Sequence, residues 1–126
     1  MSLLAQPVSR GQMAHHAGSA AEITVARHYE TLGFRVAEKR WRGEGGEIDL
    51  IMETPDQVVF VEVKQSRSFE AAALRISQRQ RMRIFAAAAE YLGTLPNGSL
   101  TEARFDVALV NGLGEVQILE NAFGES

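Results

Sequence analysis

The spacing of apolar residues predicts a helix at the start of the chain. From about Met13 to Leu32 apolar residues recur at helical spacing, and Gly33 follows as a suitable residue for ending the helix. The stripe expected to face the core includes Val25 and Tyr29, but it also includes Glu22. This carboxylate either pairs with an arginine at the edge of the stripe or points into a polar site.

Three strand-like segments come next. They cover Phe34 to Arg42, Gly46 to Ile51 and Val58 to Lys64, and the last has the apolar composition of a central strand. A flexible glycine-rich loop, 43–46, is predicted between the first two; it lacks the Gly-Lys-Ser/Thr ending of a phosphate-binding P-loop. The turn Thr54-Pro55-Asp56-Gln57 separates the second and third segments.

The second half of the chain predicts helix followed by strand. Helical composition resumes at Phe69, and Ser77 suits the N-cap of a second helical piece from about Gln78 to Leu92. Two strands, Arg104 to Val110 and Glu115 to Leu119, form a hairpin around a glycine-containing turn. The order α-β-β-β-α-β-β predicts an α/β fold with a central mixed sheet of about five strands flanked by helices.

The Thr54 to Gln57 turn predicts which residues face each other across the two strands it joins. Residues whose numbers sum to 111 become partners, so Asp49 lies opposite Glu62 and Glu47 opposite Lys64. Two opposed carboxylates repel each other unless a divalent cation lies between them. This register therefore predicts a metal-binding active site, although a slip of one residue would send Asp49 to the other face.

Composition and length fit one cytoplasmic domain. The chain has 126 residues, 45% of them apolar, and no cysteine. We expect a domain over residues 13–120, a flexible N-terminal tail over 1–12 and a C-terminal tail over 121–126. No segment has the length and apolarity of a membrane span or a secretory signal, so no membrane partner is expected.

Charge is distributed unevenly along the chain. The net charge is −3, yet residues 64–83 carry six basic side chains and one acid, while residues 84–126 carry one arginine and six acids. The basic segment indicates either a phosphate-binding face or a solvated helix face. In the acidic part, Asp106 alternates away from its apolar neighbours and is predicted to be a structural ion-pair partner.

Two motifs carry a resemblance to a known family. Asp49 followed by Glu62-Val63-Lys64 resembles the D…(D/E)-x-K signature of the PD-(D/E)XK nucleases. The runs G-E-I-D-L-I, V-V-F-V-E-V-K and R-F-D-V more narrowly resemble the YraN-like (UPF0102) family, which is similar to archaeal Holliday-junction resolvases. The resemblance covers about Gly18 to Leu119 and implies a restriction-endonuclease-like fold.

The resemblance implies roles for individual residues. Asp49 and Glu62, with the Val63 carbonyl, would hold Mg²⁺ (or Mn²⁺), which prefers hard oxygen ligands. Lys64 would position or deprotonate the attacking water. Glu22 would bind the metal through water.

Phosphate contacts are expected from the second helix and its surroundings. Gln80 would bind phosphate, where the family often has lysine; its position also allows a boundary residue without a role in function. The arginines expected to contact nucleic-acid phosphates are Arg42, Arg67, Arg75, Arg79, Arg81 and Arg83.

The expected function is that of a metal-dependent endonuclease that hydrolyses phosphodiester bonds in DNA, with branched or structured DNA as the substrate. A homodimer would suit a branched substrate by symmetry. The alternative is a nucleic-acid-binding protein with a nuclease-like fold and little or no cutting, in which a Glu47–Lys64 bridge is structural. An acidic domain that binds another protein is a third option, but it leaves the inward polar residues unexplained.

Overall fold

The computed structural model describes the backbone of residues 10–123 and the side chains of residues 20–98 and 100–123. It confirms the α/β fold with a mixed sheet of five strands. The elements in chain order are α1 (Arg10–Thr31), β1 (Arg35–Arg42), β2 (Glu47–Glu53), β3 (Val58–Gln65), α2 (Phe69–Ala73), α3 (Gln78–Leu92), a 3₁₀ turn (Gly98–Leu100), β4 (Ala103–Val110) and β5 (Val116–Leu119).

The predicted tails lie largely outside the described residues, which exclude 1–9 and 124–126. Helix α1 begins at Arg10, three residues before the expected start of the domain. At the other end, Phe123 is buried against the core. None of the helices in this part of the chain is long and apolar enough to cross a membrane.

The strands lie in the sheet in the order in which they occur along the chain. Strands β1, β2 and β3 are antiparallel, β3 and β4 are parallel, and β4 and β5 form an antiparallel hairpin. A parallel pair needs a long crossover, and α2 and α3 provide it between β3 and β4. The carboxyl end of β3 therefore leads directly into the helices that cover one face of the sheet.

The turn at Thr54 has the predicted form. Thr54 N donates to Gln57 O at 2.9 Å, and the Thr54 hydroxyl accepts hydrogen bonds from two backbone N–H groups of the same turn. From this turn the β2–β3 pairing runs from Glu53 opposite Val58 to Leu50 opposite Val61, so that partner numbers sum to 111. The predicted register is confirmed over these four pairs.

Alternating residues of β3 send their side chains to two apolar layers. Val59 and Val61 pack under α1 with its buried Val25 and Tyr29. Val58 and Phe60 pack on the opposite face with residues of α3 that were predicted to point inward, such as Ala87, Ala88 and Tyr91. Helices α1 and α3 thus cover opposite faces of the sheet. The polar residues Glu62 and Lys64 lie near the C-terminal end of β3.

Asp106 is fully buried in the α1 layer and is paired as predicted. Its carboxylate accepts two hydrogen bonds from Arg104, at 2.9 Å each, one from the Tyr29 hydroxyl at 2.6 Å and one from Asn121 N at 3.0 Å. A buried carboxylate with this many donors is a structural anchor. It joins α1, β4 and the segment after β5.

Candidate active site

The pairing of β2 with β3 stops where Asp49 begins. Leu50 is still opposite Val61, but one residue later the Asp49 carboxylate oxygen Oδ2 accepts the Val63 N–H at 2.8 Å. In a continued ladder that N–H would donate to the backbone of Ile48. The Asp49 side chain therefore takes the place of a backbone rung, and β2 parts from β3 at this end.

This parting leaves the Val63 carbonyl facing the same gap. In an antiparallel ladder the N–H and C=O of one residue point toward the same neighbouring strand. Because the Val63 N–H points toward β2 and Asp49, the Val63 C=O points there as well. The Val63 carbonyl and the Asp49 carboxylate therefore both lie on the side of β3 that faces β2.

Glu62 and Lys64 follow Phe60 on the face covered by α3. The Lys64 ammonium lies 2.9 Å from Glu62 Oε2, and their side chains are only 10% and 11% exposed. The alternative prediction of a Glu47–Lys64 ion pair was wrong. The Glu47 carboxylate oxygen Oε2 lies instead 3.7 Å from Arg42 Nη2. Lys64 reaches the nearer carboxylate on its own strand because β2 has already parted from β3.

The electrostatics of Asp49 follow from its surroundings. Burial, together with the repulsion and hydrogen bonding of Glu62, raises the pKa of Asp49 to about 7 from an ordinary value of 3.8. The Val63 N–H and the Lys64 charge lower that pKa, but they do not offset the first two effects. Asp49 and Glu62 are therefore close enough to interact strongly without a cation.

An open cleft of about 670 Å³ surrounds these residues. One side is formed by Asp49, Glu62 and Lys64, and the opposite side by Gln80 and Arg83 of α3. The β1–β2 loop with its flanking residues closes a third side. The complete lining is Arg42, Gly43, Glu44, Gly45, Gly46, Glu47, Asp49, Glu62, Val63, Lys64, Gln80, Arg83 and Ile84.

Glu22 approaches the same end of the sheet from the α1 face and does not line the cleft. It accepts a hydrogen bond from Arg40 Nε at 3.0 Å, and Arg40 has a left-handed backbone with φ of 51°. Burial raises the pKa of Glu22, opposed by Arg40 and reinforced by the nearby charges of Asp49 and Glu47. Glu22 thus pairs with an arginine, which was one of the two predicted alternatives. It also lies close enough to Asp49 for the two charges to interact.

The β1–β2 loop, which was expected to be flexible, is hydrogen-bonded to α3. Glu90 of α3 accepts the Glu44 N–H at 2.8 Å and the Gly45 N–H at 2.6 Å. The loop also closes on itself through Gly43 N and Gly46 O at 2.9 Å. Sequence reasoning missed Glu90, because a single acid on a predicted helix carries no signal of which loop it meets.

Gln80 lies in the cleft but also has a structural role. It is the third residue of α3, where its N–H donates to the Ser77 hydroxyl at 3.1 Å. Its side-chain oxygen in turn accepts the Ser77 N–H at 3.3 Å, which completes a capping box. The Gln80 amide nitrogen is the part of this side chain suited to donate to a ligand.

Only two of the six predicted nucleic-acid-binding arginines, Arg42 and Arg83, line the cleft. Arg75 Nη1 donates to Gln65 O at 2.7 Å, and the Arg81 guanidinium lies over the Phe123 ring at 5.3 Å. Arg67 and Arg79 are exposed outside the cleft lining. Sequence reasoning grouped these residues by their separation along the chain. In the structure Arg67 and Arg75 precede α3, and the three arginines on α3 do not all face the cleft.

The residues of the cleft fit a hard divalent cation with few protein ligands. Within the described side chains, no group of three or more His, Asp or Glu residues is placed to hold a metal ion. Two carboxylates and a carbonyl are nevertheless the kind of ligand set with which Mg²⁺ keeps several waters. The mutual repulsion of Asp49 and Glu62 is the feature that a cation would relieve.

Fold and site together define an α/β protein with a carboxylate–lysine cleft at the point where two strands of a mixed sheet part. The sequence profile described as "Uncharacterised protein family UPF0102" matches residues 21–110, and this chain belongs to that family. It is 56% identical over 118 residues to a UPF0102 protein of Roseobacter denitrificans, covering 94% of this chain and 92% of that protein. A UPF0102 protein of Ruegeria pomeroyi is 57% identical over 116 residues, 92% of this chain and 94% of the relative.

Proposed function

We propose that this protein is a cytoplasmic, metal-dependent endonuclease that hydrolyses phosphodiester bonds in branched or structured DNA. The observation that carries the proposal is the closeness of the Asp49 and Glu62 carboxylates, with Lys64 beside Glu62, in an open cleft. Clustered carboxylates with a strongly raised pKa mark functional sites more often than ordinary surfaces. Restriction-endonuclease-like nucleases, which the strand motifs resemble, use the same residue types.

Asp49, Glu62 and the Val63 carbonyl hold Mg²⁺ or Mn²⁺ in this proposal. When bound, the ion activates a water and polarises a non-bridging phosphate oxygen. Lys64 orients the attacking water and offsets developing negative charge in this proposal. Its ammonium lies 2.9 Å from Glu62 Oε2 and is nearly enclosed by protein. Glu22, held by Arg40, orders water at the far side of Asp49.

The opposite side of the cleft holds the substrate. Arg83 and Arg42 supply positive charge, and the Gln80 amide donates to a phosphate oxygen. Such contacts position the nucleic-acid backbone without reading its sequence. A two-fold dimer would present two such clefts to a branched duplex.

A second candidate function rests on the Lys64–Glu62 ion pair. Because both side chains are nearly buried and 2.9 Å apart, they also satisfy each other without a substrate. A nucleic-acid-binding protein that does little or no cutting would use the pair as a structural element. We favour the enzyme, since a purely structural pair leaves the raised pKa of Asp49 without a benefit.

Cleavage assays separate the two candidates. The purified protein is incubated with four-way-junction DNA, linear duplex DNA and RNA in the presence of Mg²⁺, Mn²⁺ or EDTA. We expect cleavage of the junction that requires the metal and falls by at least roughly 100-fold in Asp49→Asn and Lys64→Met.

The chain offers matched controls for both substitutions. Lys39 is the other lysine and is exposed on β1, and Asp56 is exposed in the turn. Lys39→Met and Asp56→Asn should therefore cut like the wild type. Salt-sensitive DNA binding with no cutting of any substrate would reject the enzyme and favour the binding protein.

A further inference from the structure

The β1–β2 loop (residues 43–46) is seated on one stripe of α3. Arg83, Ala86 and Glu90 are separated by three and four residues, so they lie along the same face of the helix. A Cβ built on Gly46 would lie 3.1 Å from the Arg83 Cβ, and one on Gly45 only 2.7 Å from the Ala86 Cβ. The loop backbone thus approaches α3 more closely than residues with side chains allow.

Glu90 holds the loop at the C-terminal end of this stripe of α3. Its two carboxylate oxygens accept one N–H each, from Glu44 at 2.8 Å and from Gly45 at 2.6 Å. A Cβ on Gly43 would lie 2.6 Å from the Glu90 Oε1, so this glycine also leaves room for the carboxylate. Charge-assisted hydrogen bonds of this kind are the stronger ones in proteins.

The seated loop determines the shape of the cleft. Its two ends continue into Arg42 and Glu47, which line the cleft, and Glu47 is two residues from Asp49. Because α3 also supplies Gln80 and Arg83, fixing the loop on α3 fixes the separation between the two sides of the cleft.

We infer that Glu90 is a positioning residue of this site: it holds the 43–46 loop on α3, and the loop in turn holds Arg42 and the beginning of the Asp49 strand in place. Glu90 does not line the cleft and touches no reacting group. The inference rests on the proposed function for its effect on cutting, but its effect on loop order and on metal affinity stands apart from cutting.

The test compares Glu90→Gln and Glu90→Ala with the wild type. Gln keeps one acceptor oxygen and presents an NH₂ group to the second N–H, whereas Ala keeps neither acceptor. We expect faster amide hydrogen exchange at Glu44 and Gly45 in the order wild type, Gln, Ala. Mn²⁺ affinity, measured by calorimetry, should fall by roughly 10-fold in Glu90→Ala, and kcat on junction DNA by roughly 10- to 100-fold, because small displacements of a site are costly.

Glu30→Ala is the matched control, since Glu30 is an exposed carboxylate on α1, which covers the face of the sheet opposite to α3. It should leave exchange, Mn²⁺ affinity and kcat unchanged. If Glu90→Ala speeds hydrogen exchange at the loop amides but changes neither Mn²⁺ affinity nor kcat, the positioning role is wrong. Unchanged hydrogen exchange at Glu44 and Gly45 in Glu90→Ala would also reject it. If the wild type cuts nothing while Glu90→Ala weakens Mn²⁺ binding, the nuclease proposal fails and the positioning role stands.

Discussion

At the scale of single residues, Asp49 has two roles that conflict. One carboxylate oxygen replaces a backbone acceptor for the Val63 N–H, while the group as a whole is buried beside Glu62. An alanine at this position removes the repulsion but leaves the Val63 N–H without an acceptor. Asparagine keeps an acceptor oxygen, so it is the substitution that isolates the charge of Asp49.

The raised pKa of Asp49 predicts how stability depends on pH when no metal is bound. The folded protein holds this proton up to about pH 7, whereas the unfolded chain releases it near 3.8. The native state therefore binds more protons between these values, and the free energy of unfolding falls as pH rises through that window. Relative to Asp49→Asn, the wild type should lose on the order of 4 kcal/mol between pH 4 and pH 8.

Urea denaturation in EDTA at pH 4, 6 and 8 measures this difference. Asp56→Asn is the control and should follow the wild type, because Asp56 is exposed. Addition of Mg²⁺ at pH 8 should stabilise the wild type and not Asp49→Asn, since in the proposed function only the folded wild type binds the ion. A constant difference between wild type and Asp49→Asn at all three pH values would contradict the prediction.

At the scale of secondary-structure elements, the N-terminus of α3 combines a helix cap with a position in the cleft lining. Ser77 and Gln80 exchange hydrogen bonds in the capping box, and Gln80 also lines the cleft. The side chain is thus held at the beginning of the helix with its amide nitrogen available. A replacement of Gln80 can therefore affect both the helix cap and the polar lining of the cleft.

Gln80→Lys should separate these two contributions. It adds a positive charge to the cleft and removes the acceptor of the Ser77 N–H. We expect tighter DNA binding, with a salt dependence steeper by about one released counterion, and a loss of roughly 0.5–1 kcal/mol in the free energy of unfolding. Fluorescence anisotropy at several salt concentrations and urea denaturation measure the two effects.

Gln80→Glu is the matched control because it preserves the capping box and adds negative charge. It should keep the stability of the wild type and weaken DNA binding. Equal DNA affinity in Gln80→Lys, Gln80→Glu and the wild type would show that Gln80 does not face the substrate.

The sequence predicts those features that depend on short-range pattern. The Ser77 cap, the bounds of α3 and the pairing of β2 with β3 follow from local spacing and from one turn. Glu90 could not be predicted, because its partners lie more than forty positions away in the chain. The left-handed backbone conformation of Arg40 was not predicted either, since it depends on how β1 packs against β2 and α1.

At the scale of the whole molecule, the site and the main structural anchor occupy separate places. Asp106 joins α1, β4 and the C-terminal segment in the layer under α1. The cleft lies at the end of β3 on the side of α3. Changes at the anchor should therefore alter stability while the properties of the cleft remain.

Asp106→Asn should lower the free energy of unfolding by about 3 kcal/mol, because Arg104 loses its buried partner. Tyr29→Phe removes one hydrogen bond to the same carboxylate and should cost about 1.5 kcal/mol. Urea denaturation measures both, and Mn²⁺ affinity should stay within twofold of the wild type. A loss below about 1 kcal/mol for Asp106→Asn would show that the cluster is not an anchor.

The length of the Thr54–Gln57 turn has a consequence for recognising this site elsewhere. The turn brings Asp49 and Glu62 close together, since each is five residues from it (49 to 54 and 57 to 62) and the pairing of Leu50 with Val61 ends one residue before them. Surface turns usually tolerate insertions, but an added residue here that shifted the β2–β3 pairing by one position would turn one carboxylate to the other face of the sheet. Related sequences can therefore be compared by counting: two acids at equal distances from a four-residue turn keep the register that brings these carboxylates together.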